Sequence, residues 1–142
     1  MSPSTEKARK GRKDMADRCL AVAFICLPEG WTFEYRRHLT GRCFYFRRHI
    51  AAPRPVTRRA LQVWLHECGH AVLHGPDKPR KPRHVEEFEA EKYSFDMMRK
   101  YGIAVPRKSV ENAKAYVRYK IEQAVRRGVK EIDPKARSFA KR

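Results

Sequence analysis

Residues 64–75 read WLHECGHAVLHG and place His66, Glu67, Cys68, His70 and His74 in one apolar dozen. His66-Glu67-Cys68-Gly69-His70 fits the His-Glu-x-x-His pattern. On an α-helix, residues four apart share a face about 6 Å apart along the axis, so both imidazoles can reach one metal ion. Zinc suits two neutral imidazoles and a carboxylate, with a further position left for water. Such a metal lowers the pKa of water and polarises a carbonyl, and Glu67 stands one residue on, where it can take the proton. The bland alternative is a buried helix whose histidines are satisfied by neighbours. Context favours chemistry: Leu61, Leu65, Ala71, Val72 and Leu73 surround Glu67, and an apolar setting is costly for an idle carboxylate.

A third protein ligand is required. His74 lies eight residues from His66, about 12 Å along an unbroken helix, and reads as a structural residue closing the helix. The stretch EEFEAEKYS, 86–94, is the better source. Glu87 and Glu91 are four apart and face one way, so one can ligate while the other orients an imidazole; Glu86 and Glu89 point elsewhere. Acidic runs are commonly solvated helix faces. In a chain with 33 Lys and Arg against 16 Asp and Glu, four glutamates within six residues are better explained by a cation.

HECGHAVLH followed by EEFEAEKYS resembles the ImmA/IrrE family of zinc metallopeptidases over about residues 57–98. Its pattern is His-Glu-x-Gly-His-x-x-Leu-His, then a helix reading Glu-x-Glu-Ala-Asn/Asp-x-Phe-Ala. The resemblance implies a small, mainly helical, thermolysin-like α+β fold. It also implies Zn2+ as cofactor, His66, His70 and Glu87 as its ligands, and Glu67 as general base. The activity implied is endopeptidase cleavage of a protein substrate, plausibly a DNA-bound regulator such as a transcriptional repressor. The chain departs from the pattern with Glu91 for Asn/Asp, Tyr93-Ser94 for Phe-Ala, and no proline after DMM. The first departure keeps Glu91 open as an alternative ligand. No separate helix-turn-helix module is evident.

The elements that must position these residues can be read around them. Residues 1–12 are polar and basic and are expected to be a frayed tail. A helix is expected from about Lys13 to Leu27, with Met15, Cys19, Val22, Ala23 and Cys26 at helical spacing. WTFEYRRHLTGRCFYFRRHI reads as two strands joined at LTG, with prolines ending the second. Thr57 caps a helix running to about His74, closed by Gly75 and Pro76. After a proline-rich basic loop come helices over about Val85–Tyr101 and Arg107–Arg127. Val110, Ala113, Val117, Ile121, Ala124 and Val125 form one stripe on the last of these. The resulting division is a metallopeptidase-like domain over 13–128 and a basic C-terminal tail over 129–142. A substrate strand is expected to add to an exposed sheet edge near WTFEYRRH or CFYFRRHI. Tyr93, His38 and His49 are further candidates for steadying a developing oxyanion, though each reads more simply as a core or surface residue.

The 142 residues suffice for one compact domain. A formal charge of +17 favours attraction to a polyanion or an acidic partner. Basic and aromatic residues interleave in FEYRRHLTGRCFYFRRH, which gives a rival reading: a nucleic-acid-binding protein with a structural zinc. The four cysteines show no Cys-x-x-Cys spacing, which argues against a zinc ribbon or redox pair. The longest apolar run, Leu20–Leu27, is far short of a membrane span, and no signal-peptide cleavage site follows it. A cytoplasmic protein with no membrane partner is the expectation.

Overall fold

The computed structural model describes residues 2–142, which form an α+β fold dominated by helix. Among them are five helices, α1 (Pro3–Cys26), α2 (Arg58–Leu73), α3 (Arg83–Lys100), α4 (Arg107–Arg126) and α5 (Pro134–Ala140). Three strands, β1 (Thr32–Arg36), β2 (Arg42–Phe44) and β3 (His49–Pro53), form a sheet in the order β1-β3-β2.

The local signals for α2 to α4 act as expected. Thr57 accepts a hydrogen bond from the Ala60 amide, and His74 ends α2 by donating its amide to the His70 carbonyl at 2.9 Å. Gly102 takes a positive φ of 72° after α3, a conformation that glycine adopts without the steric cost of a β-carbon. Trp64 is fully buried and donates its indole N–H to the Ala23 carbonyl at 2.9 Å. Around it pack Cys19, Val22 and Cys26 of α1, Ile50 and Ala52 of β3, Leu61, Leu65 and Cys68 of α2, and Met98. Truncating Trp64 to alanine would cost about 3–5 kcal/mol, the usual range for a large buried aromatic. A second apolar cluster joins Phe88, Val117, Ile121, Ala136 and Ala140.

Three expectations about the flanking elements fail. The 1–12 segment is not a frayed tail: α1 begins at Pro3, with Ser2 as N-cap and proline in the first turn, where its missing N–H costs nothing. The 129–142 segment is likewise not a tail. Asp133 caps α5 by accepting from the Ala136 amide at 2.9 Å, and α5 buries Ala136 and Ala140 against Phe88 and Val117. The 13–128 boundary therefore cuts through packed structure at its C-terminal end.

RCFYFRRHI, expected as one strand, is two. The chain turns at Tyr45–Arg48, with Arg48 at φ 49°, so β2 runs antiparallel to β3. β1 then pairs with β3 in parallel, and no β1–β2 hairpin forms. Phe33 and Tyr35 stay 38% and 46% exposed, resting against Trp64 and each other without entering the core.

Candidate metal centre

α2 presents a polar ladder across its buried face: Gln62, His66, His70 and His74, each four residues from the last, all buried. α3 lies against it. The closeness of the two helices depends on Gly69, where a β-carbon would meet Tyr93 Cδ1 at 3.0 Å and Ala90 Cα at 3.2 Å. That approach brings buried Glu87 and Glu91 onto the ladder.

Three donor atoms converge. His66 Nε2 and His70 Nε2 are 3.1 Å apart, and Glu87 Oε2 lies 3.0 Å from the first and 3.2 Å from the second. Donors bound at about 2.0–2.2 Å in a tetrahedral arrangement lie roughly 3.3 Å from one another. The outer nitrogens have partners of their own. His66 Nδ1 pairs with Glu91 Oε1. Glu91 is fixed in turn by the Gln62 amide at 3.4 Å, and Gln62 also donates to Ser94 Oγ at 2.9 Å. His70 Nδ1 is 3.0 Å from His74 Nδ1, and His74 Nε2 is 3.0 Å from Glu89 Oε1; Lys81 Nζ meets the other oxygen of Glu89 at 2.8 Å.

Hydrogens can be assigned to this network in one consistent way for neutral imidazoles. His66 Nδ1 carries its hydrogen on the side facing Glu91, His70 Nδ1–H donates to His74 Nδ1, and His74 Nε2–H donates to Glu89. Three lone pairs, on His66 Nε2, His70 Nε2 and Glu87 Oε2, then face one another with no hydrogen among them. Such a cluster is unfavourable unless a cation sits there. Without a metal, protons on these rings supply that positive charge. Burial works against a charged His66, yet Glu91 and Glu87 outweigh it and hold its pKa well above the usual value. Burial likewise opposes the Glu87 carboxylate, but when the His66 and His70 rings are protonated their contacts with it hold its pKa well below the carboxylate range. The pocket prefers positive charge, and its N2O donor set fits zinc.

Glu67 lies beside this triad without joining it. One of its carboxylate oxygens and the two imidazoles fall within 4.8 Å of one another, a looser grouping than Glu87 makes with either ring. Burial pushes its pKa up to about 7; His66 opposes the rise, and Glu87 and Glu91 add to it. Its side chain rests on Gly41, just before β2. A cleft of about 260 Å³ opens over the site, lined by Arg42, Cys43, Tyr45, Arg83 and Tyr116 besides the site residues.

His66, Glu67, His70, Glu87 and Glu91 are thus brought together, with Glu87 at the donor cluster and Glu91 behind His66. His74 closes α2 as expected but also braces His70, and Glu89, expected to face away, braces His74. Cys68 points into the core, and burial holds its pKa well above that of an ordinary thiol, so it is neither ligand nor nucleophile here. The three oxyanion candidates lie elsewhere. His49 is held by Thr32 at 2.7 Å and Glu34 at 2.9 Å, Tyr93 packs on Gly69, and His38 is exposed. Tyr116 of α4 lines the cleft in their place, its pKa raised to about 12 by burial and by Glu87. Nothing in the sequence marks Tyr116, whereas Gln62 is visible there as the first rung of the four-residue ladder.

No protein family, curated protein or solved structure matches the chain. No helix of the described residues is long and apolar enough to cross a membrane.

Proposed function

We propose that the protein is a zinc-dependent endopeptidase. The observation that carries this reading is the convergence of His66 Nε2, His70 Nε2 and Glu87 Oε2 at 3.0–3.2 Å, with the Glu67 carboxylate alongside and outside the triad. A structural zinc is commonly closed by four protein ligands, whereas three ligands beneath an open cleft suit a catalytic one. That difference favours an enzyme over a nucleic-acid-binding protein with a structural zinc. The likeness of residues 57–98 to the ImmA/IrrE pattern points the same way.

On this reading His66, His70 and Glu87 hold the ion, which when bound lowers the pKa of water and polarises a carbonyl. Glu67 takes a proton from the attacking water and passes it to the amide nitrogen that leaves. Burial raises the pKa of this carboxylate and the bound cation would oppose that rise, so Glu67 can both accept and return the proton. The Tyr116 hydroxyl, still protonated at neutral pH, is available to donate a hydrogen bond to the substrate oxygen. Glu91 and His74 keep each ligating imidazole in the tautomer whose lone pair faces inward. The substrate is a protein segment, and the ImmA/IrrE resemblance points to a DNA-bound regulator such as a repressor. The free cysteines suit a reducing cytoplasm.

Metal analysis of protein purified without a metal-binding tag tests the ligation. About one zinc per chain is expected, and His70→Ala should remove it and lower thermal stability. Undiminished zinc in that variant would refute the ligand set.

A further inference from the structure

We propose that the N-terminal half of α1 is a DNA-binding element that enters the major groove of duplex DNA. α1 has 24 residues, but its buried ones are only Cys19, Val22, Ala23 and Cys26. Every residue of 3–14 is exposed, and a β-carbon added at Gly11 would meet nothing within 4 Å. The segment, PSTEKARKGRKD, is twelve residues of helix, roughly 18 Å at the usual rise. It projects from the body as a continuation of the packed half, started by the Ser2 cap and Pro3.

Its composition selects the partner. Lys7, Arg9, Lys10, Arg12 and Lys13 stand against Glu6 and Asp14, and no ion pair involves any of these seven among the described residues. Apart from Pro3, Ala8 is the only apolar side chain in the segment, so there is no stripe to insert into a bilayer. For the same reason there are no anchors at helical spacing for an apolar protein groove. A helix segment that is exposed and polar all round, with its cations in no ion pair, is suited to a Coulombic partner.

The cations follow one another around a wide arc of the helix, Arg12, Arg9, Lys13, Lys10 and Lys7 in turn, spanning roughly 220° at 3.6 residues per turn. Phosphates lining both walls of a groove match an arc of more than half the helix circumference better than a single charged plane does. The major groove of B-form DNA, about 12 Å wide, admits an α-helix; that of A-form RNA is too narrow. The body's charge contributes to attraction at a distance, while the free half of α1 makes the close contacts. This inference does not rest on the peptidase reading.

The test measures binding of the full-length protein to a fluorescent 20-base-pair DNA duplex over a range of salt concentrations. One variant replaces Lys7, Arg9, Lys10, Arg12 and Lys13 with glutamine. A control replaces the exposed Lys108, Arg126, Arg127, Lys130 and Lys141 with glutamine, removing the same charge elsewhere. Because residues 7–13 are all exposed, circular dichroism and Tm of the α1 variant should match wild type. The α1 variant should bind at least ~10-fold more weakly, with a log–log salt slope reduced by roughly 3–4, at about 0.9 for each phosphate that is no longer neutralised. The control should stay within about 3-fold of wild type by the same measure. Equal weakening in both variants would show that net charge alone binds DNA, and would overturn the proposal. So would wild-type affinity in the α1 variant, equal affinity for an RNA duplex, or no DNA binding by wild type.

Discussion

Glu67 lies against Gly41 so closely that a β-carbon at position 41 would stand 2.7 Å from both its Cγ and its Oε2. Position 41 is therefore restricted by space at the carboxylate and not by backbone conformation. Gly41→Ala should displace the Glu67 carboxylate while leaving His66, His70 and Glu87 in place. Peptide cleavage should fall at least ~10-fold, a displaced general base being the cause. Zinc content should be unchanged, and steady-state kinetics beside metal analysis checks both halves. Loss of zinc with the activity would mean that Gly41 supports the ligands and not the base.

The donor cluster is largely legible in the sequence and its surroundings are not. His66, Glu67 and His70 follow from spacing along one helix, and Glu87 and Glu91 from spacing along the next. Which of those two reaches the inward imidazole nitrogens depends on how α3 lies across α2, and that is set by Gly69, Ala90 and Tyr93 meeting in space. Gly41 and Tyr116 reach the site through the sheet and α4, contacts that no periodicity encodes. The alternating aromatics of β1 suggest a buried face, whereas its parallel pairing with β3 leaves it at an edge. In the C-terminal segment, lysines and arginines mask two small residues, Ala136 and Ala140, that fit a gap beside Phe88.

The two glutamates on α3 should separate by role. Glu87→Ala should weaken zinc by more than ~100-fold, and Glu91→Ala by about 10–100-fold, the range for partners that orient a ligand. Glu86→Ala should change affinity little, since its side chain joins no contact to the triad. Competition with a chromophoric chelator measures all three. A larger effect of Glu91 than of Glu87 would reverse their assignment.

On the proposed ligation, His74 and Glu89 would act on zinc only through His70. His74→Ala should reduce zinc affinity about 10–100-fold, and Glu89→Gln should reduce it less, because the amide oxygen still accepts from His74 Nε2. A purely structural role for His74 would lower Tm of the zinc-free protein and leave affinity unchanged.

His84 contributes a pH dependence away from the candidate metal centre. It is 1% exposed, and its Nε2 accepts the Asp133 amide at 3.1 Å, so the neutral ring is the one that fits. Burial lowers its pKa below the ordinary 6.5, with Asp133 opposing. A histidine lowered on folding contributes stability that is complete above its unfolded pKa and is lost as pH falls through that value toward the folded one. The His84 contribution should therefore be lost as pH falls below about 6.5, and the difference in stability between wild type and His84→Gln should shrink over that range. Urea melts at several pH values compare the two, and parallel pH profiles would exclude His84 as the cause.

The central claim is that Glu67 moves a proton at a metal held by its neighbours. The most direct measurement is cleavage of unfolded and DNA-bound protein substrates by zinc-loaded wild type and Glu67→Gln, with fragments read by mass spectrometry. Glutamine keeps the shape and removes the basicity, so zinc content and fold should survive while cleavage falls by at least ~100-fold. Equal cleavage by both proteins, or none by the zinc-loaded wild type, would contradict the account.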